Sequence, residues 1–307
     1  MIDSKLFAGA VLITVIIVSG ALFSLSGGSP SMSIAAPAAA AGAALASAAE
    51  PVVPERVDPG GAVIANGDHL PLMIRWSNWR PEFGPSYVYA READLDGMLN
   101  LDAPVEKMIM TASYEEVERL MRFADELKAS GVTTVGLNTE NGAGMTPGAE
   151  MQTLDSVDPE VNIVARVARL ASDHGFKVVW GPVRAVTDQV SERTILAMME
   201  AGLDGLAIQE QKFIETQSAG ARLAAVERTR SRYLALAQRA GIEDFSFHVQ
   251  IMQERCPDLQ NCVEFVEGLE AIPVDSIAIW SNGPIPVDFV NAIRMQDTAS
   301  DLIPNRQ

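Results

Sequence analysis

Cysteine, histidine and basic residues are scarce in this chain. Two Cys and three His in 307 residues, with no Cys/His cluster, speak against a structural zinc site. His69, His174 and His248 have no ligand spacing among them, so neither a metal nor a cofactor is expected. Lys and Arg number 23 against 40 Asp and Glu, a net charge of −17. Binding a phosphate backbone needs a basic footprint, and its lack excludes nucleic acid as a partner. Docking on anionic lipid through a basic face is excluded for the same reason. No G-x-G-x-x-G or G-x-x-x-x-G-K-[ST] follows an expected strand, and no G-x-S-x-G elbow exists. Gly142-Ala143-Gly144 lacks the third Gly and a helix start, and reads as a loop. What is present is 48% apolar and 21% charged, an ordinary globular mixture long enough for one large domain or two small ones.

Charge is also missing from Leu6 to Ala49. Within that stretch Leu6 to Leu25 is apolar for about 30 Å at helical rise, the thickness of a bilayer core. Lys5 precedes it and mostly acidic residues follow, which places the N-terminus inside and the rest outside. Two readings stay open. One is an uncleaved anchor that makes the membrane a partner through an N-terminal helix. The other is a signal peptide cleaved after Ser33-Ile34-Ala35, which leaves a secreted protein. Both make the remainder extracytoplasmic. The expected organisation is residues 1–25 as anchor or signal, 26–66 as an Ala/Gly/Ser/Pro-rich linker, and 67–307 as the globular domain.

The globular part repeats one turn four times, in which a helix ends in Gly, an apolar residue follows and a β-rich run begins. The glycines are Gly131, Gly175, Gly202 and Gly241. Ser113-Tyr114-Glu115-Glu116 is a capping box, and Asp158-Pro159 places an N-cap before proline. Val161, Val164, Val167, Ala168 and Ala171 then share a helix face, and further helices are expected at about 192–201, 221–240, 261–271 and 286–296. Strands are expected at 70–76, 105–110, 132–138, 177–183, 205–209, 245–252 and 276–281, with an eighth near Tyr87–Ala90. This alternation indicates parallel β/α units and a (β/α)₈ TIM-like barrel, regular or irregular, with a doubly wound open sheet as the alternative.

Strand period sorts the faces. Phe247, Val249 and Ile251 should meet the helices, while Ser246, His248 and Gln250 should point inward. The same parity turns Arg75, Asn138, Glu140, Gln209, Gln211, Trp280 and Asn282 toward the lumen near strand C-terminal ends, where TIM barrels build their sites. Amides hydrogen-bond hydroxyls in both directions and a Trp face stacks on a sugar ring, so the set suits a carbohydrate or similar polyhydroxyl ligand. Glycoside hydrolysis needs two carboxyl groups. Glu140 has position and parity. Glu210 lies at a strand end but shares the outward parity of Leu206 and Ile208; Asp188 and Glu254 lie in loops after strands. Cys256 and Cys262 are close enough in sequence to form a local disulfide beside the mouth in an oxidising compartment.

The runs Gly205-Leu206-Ala207-Ile208-Gln209-Glu210-Gln211 and Val274-Asp275-Ser276-Ile277-Ala278-Ile279-Trp280 resemble uncharacterised secreted bacterial proteins with a glycoside-hydrolase-like TIM barrel. The resemblance spans about residues 177–284 and implies the fold more than an activity. The D-x-x-D-x-D-x-E signature is absent, and Asn138-Thr139-Glu140 only approaches the Asn-Glu pair that ends a strand in other glycosidases. Three functions stay open: hydrolysis of a cell-envelope carbohydrate, carbohydrate binding without catalysis, and a structural envelope role.

Overall fold

The computed structural model describes residues 70–84, 86–139, 153–210, 217–256, 259–281 and 283–294. The apolar run Leu6 to Leu25, the linker, His69, the Gly142–Gly144 loop and the candidates Glu140, Gln211 and Asn282 lie outside them. Among the described residues no helix is long and apolar enough to cross a membrane.

Eight parallel strands close into a barrel in sequence order. They are β1 (Leu72–Arg75), β2 (Ser86–Ala90), β3 (Glu106–Thr111), β4 (Val132–Asn138), β5 (Lys177–Gly181), β6 (Gly205–Gln209), β7 (Ser246–Met252) and β8 (Ser276–Trp280). β1 pairs with β2 and with β8, where Leu72, Met73 and Ile74 face Ile277, Ala278 and Ile279. That closing pair rules out the open sheet. The eighth strand is the Tyr-rich segment, one residue longer at its start than expected. Val183, expected within β5, makes only an isolated bridge to Gln209, because Pro182 has no amide hydrogen to continue the ladder.

The helices are α1 (Leu95–Leu99), α2 (Tyr114–Met121), α3 (Ala124–Ala129), α4 (Ile163–Asp173), α5 (Arg184–Thr187), α6 (Glu192–Glu200), α7 (Ala219–Ala240), α8 (Leu259–Glu270) and α9 (Val287–Arg294). Gly131, Gly175, Gly202 and Gly241 all have positive φ, so the repeated helix-to-strand turn is built as expected. Ser113 caps α2 by accepting the amide of Glu116 at 3.2 Å. The start of α4 is a correction. Asp158 and Pro159 form a preceding turn, and the cap is Asn162. Its Oδ1 accepts the amides of Val164 and Ala165, and its Nδ2 donates to the carbonyls of Leu154 and Ser156. A buried amide that satisfies four backbone groups outweighs the local Asp-Pro signal. Val161 falls outside the helix and is exposed, while Val164, Val167, Ala168 and Ala171 are fully buried.

Alternation divides the apolar residues into two cores. Leu72, Ile74, Val88, Ile109, Val135, Leu137, Val178, Leu206, Ile208, Val249, Ile251 and Ile279 pack under the helices. Met73, Tyr89, Met108, Val179, Ala207 and Ala278 fill the lumen. Lys107 is buried in the wall at a shift of register in β3. Its ammonium donates to the carbonyls of Leu99 and Ser130, which close α1 and α3, where a cation meets the negative helix ends.

Cys256 and Cys262 form a disulfide with a Cα–Cα distance of 5.9 Å. It ties the 3-10 turn after β7 to the first turns of α8. Both thiols should resist alkylation until the protein is reduced. Reduction should then lower stability by about 2–3 kcal/mol, as expected for so short a closed loop. Urea unfolding with and without reductant measures this; free thiols in native protein would contradict it.

Candidate functional site

The C-terminal ends of the strands bring one arc of side chains to the barrel mouth. Asn138 ends β4 and Gln209 ends β6, and the two meet across β5. Gln209 Nε2 donates to Asn138 Oδ1 at 3.1 Å and to the Gly181 carbonyl at 2.7 Å. Gln250 on β7 is the register neighbour of Gln209 and of Ala278. Trp280 ends β8 and is half-buried. Its ring stacks on Tyr89 of β2, with centroids 6.1 Å apart and planes 6° from parallel. The Arg91 guanidinium lies over the same indole, 5.2 Å from its centroid. Arg75 ends β1 between them and is held by Asp94, whose Oδ2 accepts from Arg75 Nε at 2.9 Å and also from Nη2. Ser281 continues from Trp280, and its Oγ lies 2.9 Å from Glu254 Oε1 and 3.2 Å from Gln253 Oε1. Arg75, Asn138, Gln250 and Trp280 therefore share the rim expected from parity, and Gln209 joins them from beneath, 1% exposed, with its amide held by Asn138 and Gly181.

Two candidates do not join them. His248 has the inward parity but sits one layer deeper and is 2% exposed. Its Nδ1 lies 2.8 Å from Ser276 Oγ, and the edge of Tyr87 meets its ring at 5.7 Å. Burial pushes its pKa down to about 4, with Asp275 opposing weakly, so it is a neutral filler of the lumen near pH 7. Glu210 is fully buried on the helix side of the wall, as the parity of Leu206 and Ile208 requires. It is ion-paired with Arg184 of α5. Arg222 of α7 is a second cation near it, and this Arg is itself bonded to Asn261 and stacked over Phe265. Asp188 belongs to the same group, 3.9 Å from Arg184. Burial pushes the Glu210 carboxyl up to about 7 against the pull of both guanidiniums. The wall separates this carboxyl from the mouth. Among the described residues no cluster of His, Cys, Asp and Glu could hold a metal ion.

Tyr89 and Arg91 are the mouth residues that sequence reasoning missed. Both share the parity of Tyr87 on the Tyr-rich segment, so they were within reach once that segment is taken as a full strand. Arg75 pairs with Asp94.

No protein-family model matches the chain, and no curated protein does. Solved structures similar to it include a D-psicose 3-epimerase crystallised in the presence of D-fructose. That match has 10% identity and a TM-score of 0.41, covering 73% of this chain and 90% of the other. The D-psicose 3-epimerase of Clostridium cellulolyticum H10 with D-tagatose matches at 11% identity and TM-score 0.41, covering 73% and 90%. The citrate lyase beta subunit from Mycobacterium tuberculosis matches at 13% identity and TM-score 0.41, covering 74% and 96%. Likeness at this level leaves substrate and reaction to be argued from the mouth of this barrel alone.

The two displaced candidates act on stability in opposite directions. Glu210 titrates at 4.5 in an unperturbed chain and near 7 when folded, so between those values only the folded form holds the proton. Stability therefore falls as pH rises through that window. His248 titrates at 6.5 unperturbed and near 4 when folded, so stability rises with pH between about 4 and 6.5. The two slopes offset in their overlap. In Glu210→Gln the His248 member of this pair of slopes is no longer offset by the other, and it amounts to at most about 1.4 kcal/mol per pH unit. Above about pH 7, where the carboxyl is ionised, the variant also leaves two buried guanidiniums without their counter-charge. Its urea midpoint should nonetheless climb from pH 4.5 to 6.5 more steeply than that of the parent. A midpoint that tracks the parent at every pH would contradict the assignment.

Proposed function

We propose that the barrel is an extracytoplasmic domain that binds a carbohydrate or similar polyhydroxyl ligand at its mouth. The observation that carries this is the half-buried Trp280, stacked on Tyr89 and set on the same rim as the half-buried amides of Asn138 and Gln250, with Gln209 buried beneath and holding Asn138 in place. An aromatic surface beside donor–acceptor amides matches a sugar, whose ring presents apolar C–H faces and hydroxyls that both donate and accept. The lumen below is filled by Met73, Tyr89, Met108 and Val179, so the ligand rests on the mouth rather than inside the barrel. The membrane-facing location is supported by the apolar run Leu6 to Leu25 and by the Cys256–Cys262 bridge, which suits an oxidising compartment. An anchor would hold the domain at the cell envelope; cleavage would release it.

Hydrolysis is the further step. Glu210 is unsuited to it, being behind the wall, and Glu140 is the acid this reading uses, two residues beyond Asn138 in the chain. Binding to immobilised cell-envelope polysaccharide, with release of reducing ends measured in parallel, tests both statements. Trp280→Ala should weaken binding by roughly fivefold, equivalent to about 1 kcal/mol of lost stacking. Glu140→Gln should abolish release of reducing ends if the domain is a hydrolase, and change binding little if it only binds. Unchanged binding by Trp280→Ala would overturn the mouth as the site.

A further inference from the structure

Among the described residues, the acids nearest Arg91 at the mouth already have partners. The two acids that follow Arg91 in the chain are each held by another arginine. Glu92 accepts from Arg119 at 2.7 and 3.3 Å. Asp94 Oδ2 accepts from Arg75, and its Oδ1 takes the backbone amide of Arg91 at 3.1 Å. Glu254, across the rim, is engaged by Ser281. The Arg91 side chain is exposed and has no carboxylate partner among the described residues; its guanidinium rests against Trp280. In a chain with 40 acids against 23 bases, an arginine left without an acid at the mouth, on the aromatic residue that would take a sugar ring, stands out. The cation–π contact holds the planar fork at the aromatic surface with its N–H donors open, the geometry that pairs with an oxyanion in two parallel hydrogen bonds.

Resting on the proposed mouth site, we infer that the ligand is an acidic sugar, with an anionic substituent paired to Arg91 while its ring lies against Trp280. Uronate, phosphate and sulfate groups share this chemistry. The net negative charge of the chain repels such a ligand elsewhere and leaves Arg91 to set where it docks. Arg75 is not a second anchor, because Asp94 neutralises it.

The full chain is applied to an array of neutral glycans and their uronate-, phosphate- and sulfate-bearing counterparts, at low and high salt. Acidic members should be retained at least tenfold better than neutral ones, and salt should erase the difference. Arg91→Gln should reduce the acidic members to the level at which the same variant retains the neutral ones. Arg91→Lys, which keeps the charge but loses the fork, should recover part of the preference, and both variants should melt with the parent. Equal retention of neutral and acidic members, or a preference that survives Arg91→Gln, would overturn this inference while leaving the mouth site intact. Retention of no glycan would overturn both.

Discussion

β1 is hydrogen-bonded on both sides, to β2 along Leu72–Arg75 and to β8 along Leu72–Ile74, and the mouth cluster depends on this closure. Trp280 comes from the last strand, while Tyr89 and Arg91 come from the second and its end, far apart in sequence. They stack only because β1 lies between them as a shared neighbour, with Arg75 rising in the gap. Closure also removes both sheet edges, so every strand is paired and the rim is a continuous ring of strand ends. An open sheet would leave the amides of β6 and β7 near one edge and Tyr89 near the other.

The wall sorts buried charge as well as apolar surface. On its helix side, Glu210, Arg184 and Arg222 form an ionic cluster where β6 meets α5 and α7, with Glu210 paired to Arg184 and Arg222 bonded to Asn261. Such a cluster is costly to assemble and costlier to break by removing one member, so it is a packing constraint on the helices. On the inner side the lumen carries no described ion pair between its layers; methionines, tyrosines and the neutral His248 fill it. The polar groups that remain on the rim are therefore set by a solid base. That rigidity suits recognition, since the half-buried Asn138, held from beneath by Gln209, which is itself bonded to Gly181, loses little freedom when a ligand arrives.

Much of the architecture was legible because two periodicities are strong in this chain. Period-two alternation in β6, β7 and β8 separated lumen from helix face correctly, including the outward turn of Glu210. Parity gives the face, however, and not the depth. His248 and Gln250 share a face, yet the imidazole lies a layer below the rim and is sealed by Tyr87 and Ser276. The short, Tyr-rich β2 is enclosed by Gly84-Pro85 and the turn at Arg91, and its pairing with β1 and β3 makes it a strand more than local propensity does. Asn162 displaced the Asp158-Pro159 signal through contacts to Leu154 and Ser156, which no local rule contains. The Arg75–Asp94 pair is likewise a tertiary contact, between the end of β1 and the turn that follows β2.

The central claim is that ligand meets the barrel at the strand C-terminal mouth and touches Trp280. The chain has four tryptophans, and their indole N–H signals report four separate places. Trp180 is wholly buried on the helix side, its Nε1 donating to Thr139, whereas Trp280 stands at the mouth. Titration of the isotope-labelled protein with an acidic oligosaccharide retained on the array, followed through these indole signals, measures the contact directly. The Trp280 signal should shift in a saturable way while that of Trp180 stays in place. Saturable binding that moves Trp180 and leaves Trp280 unmoved would contradict the account.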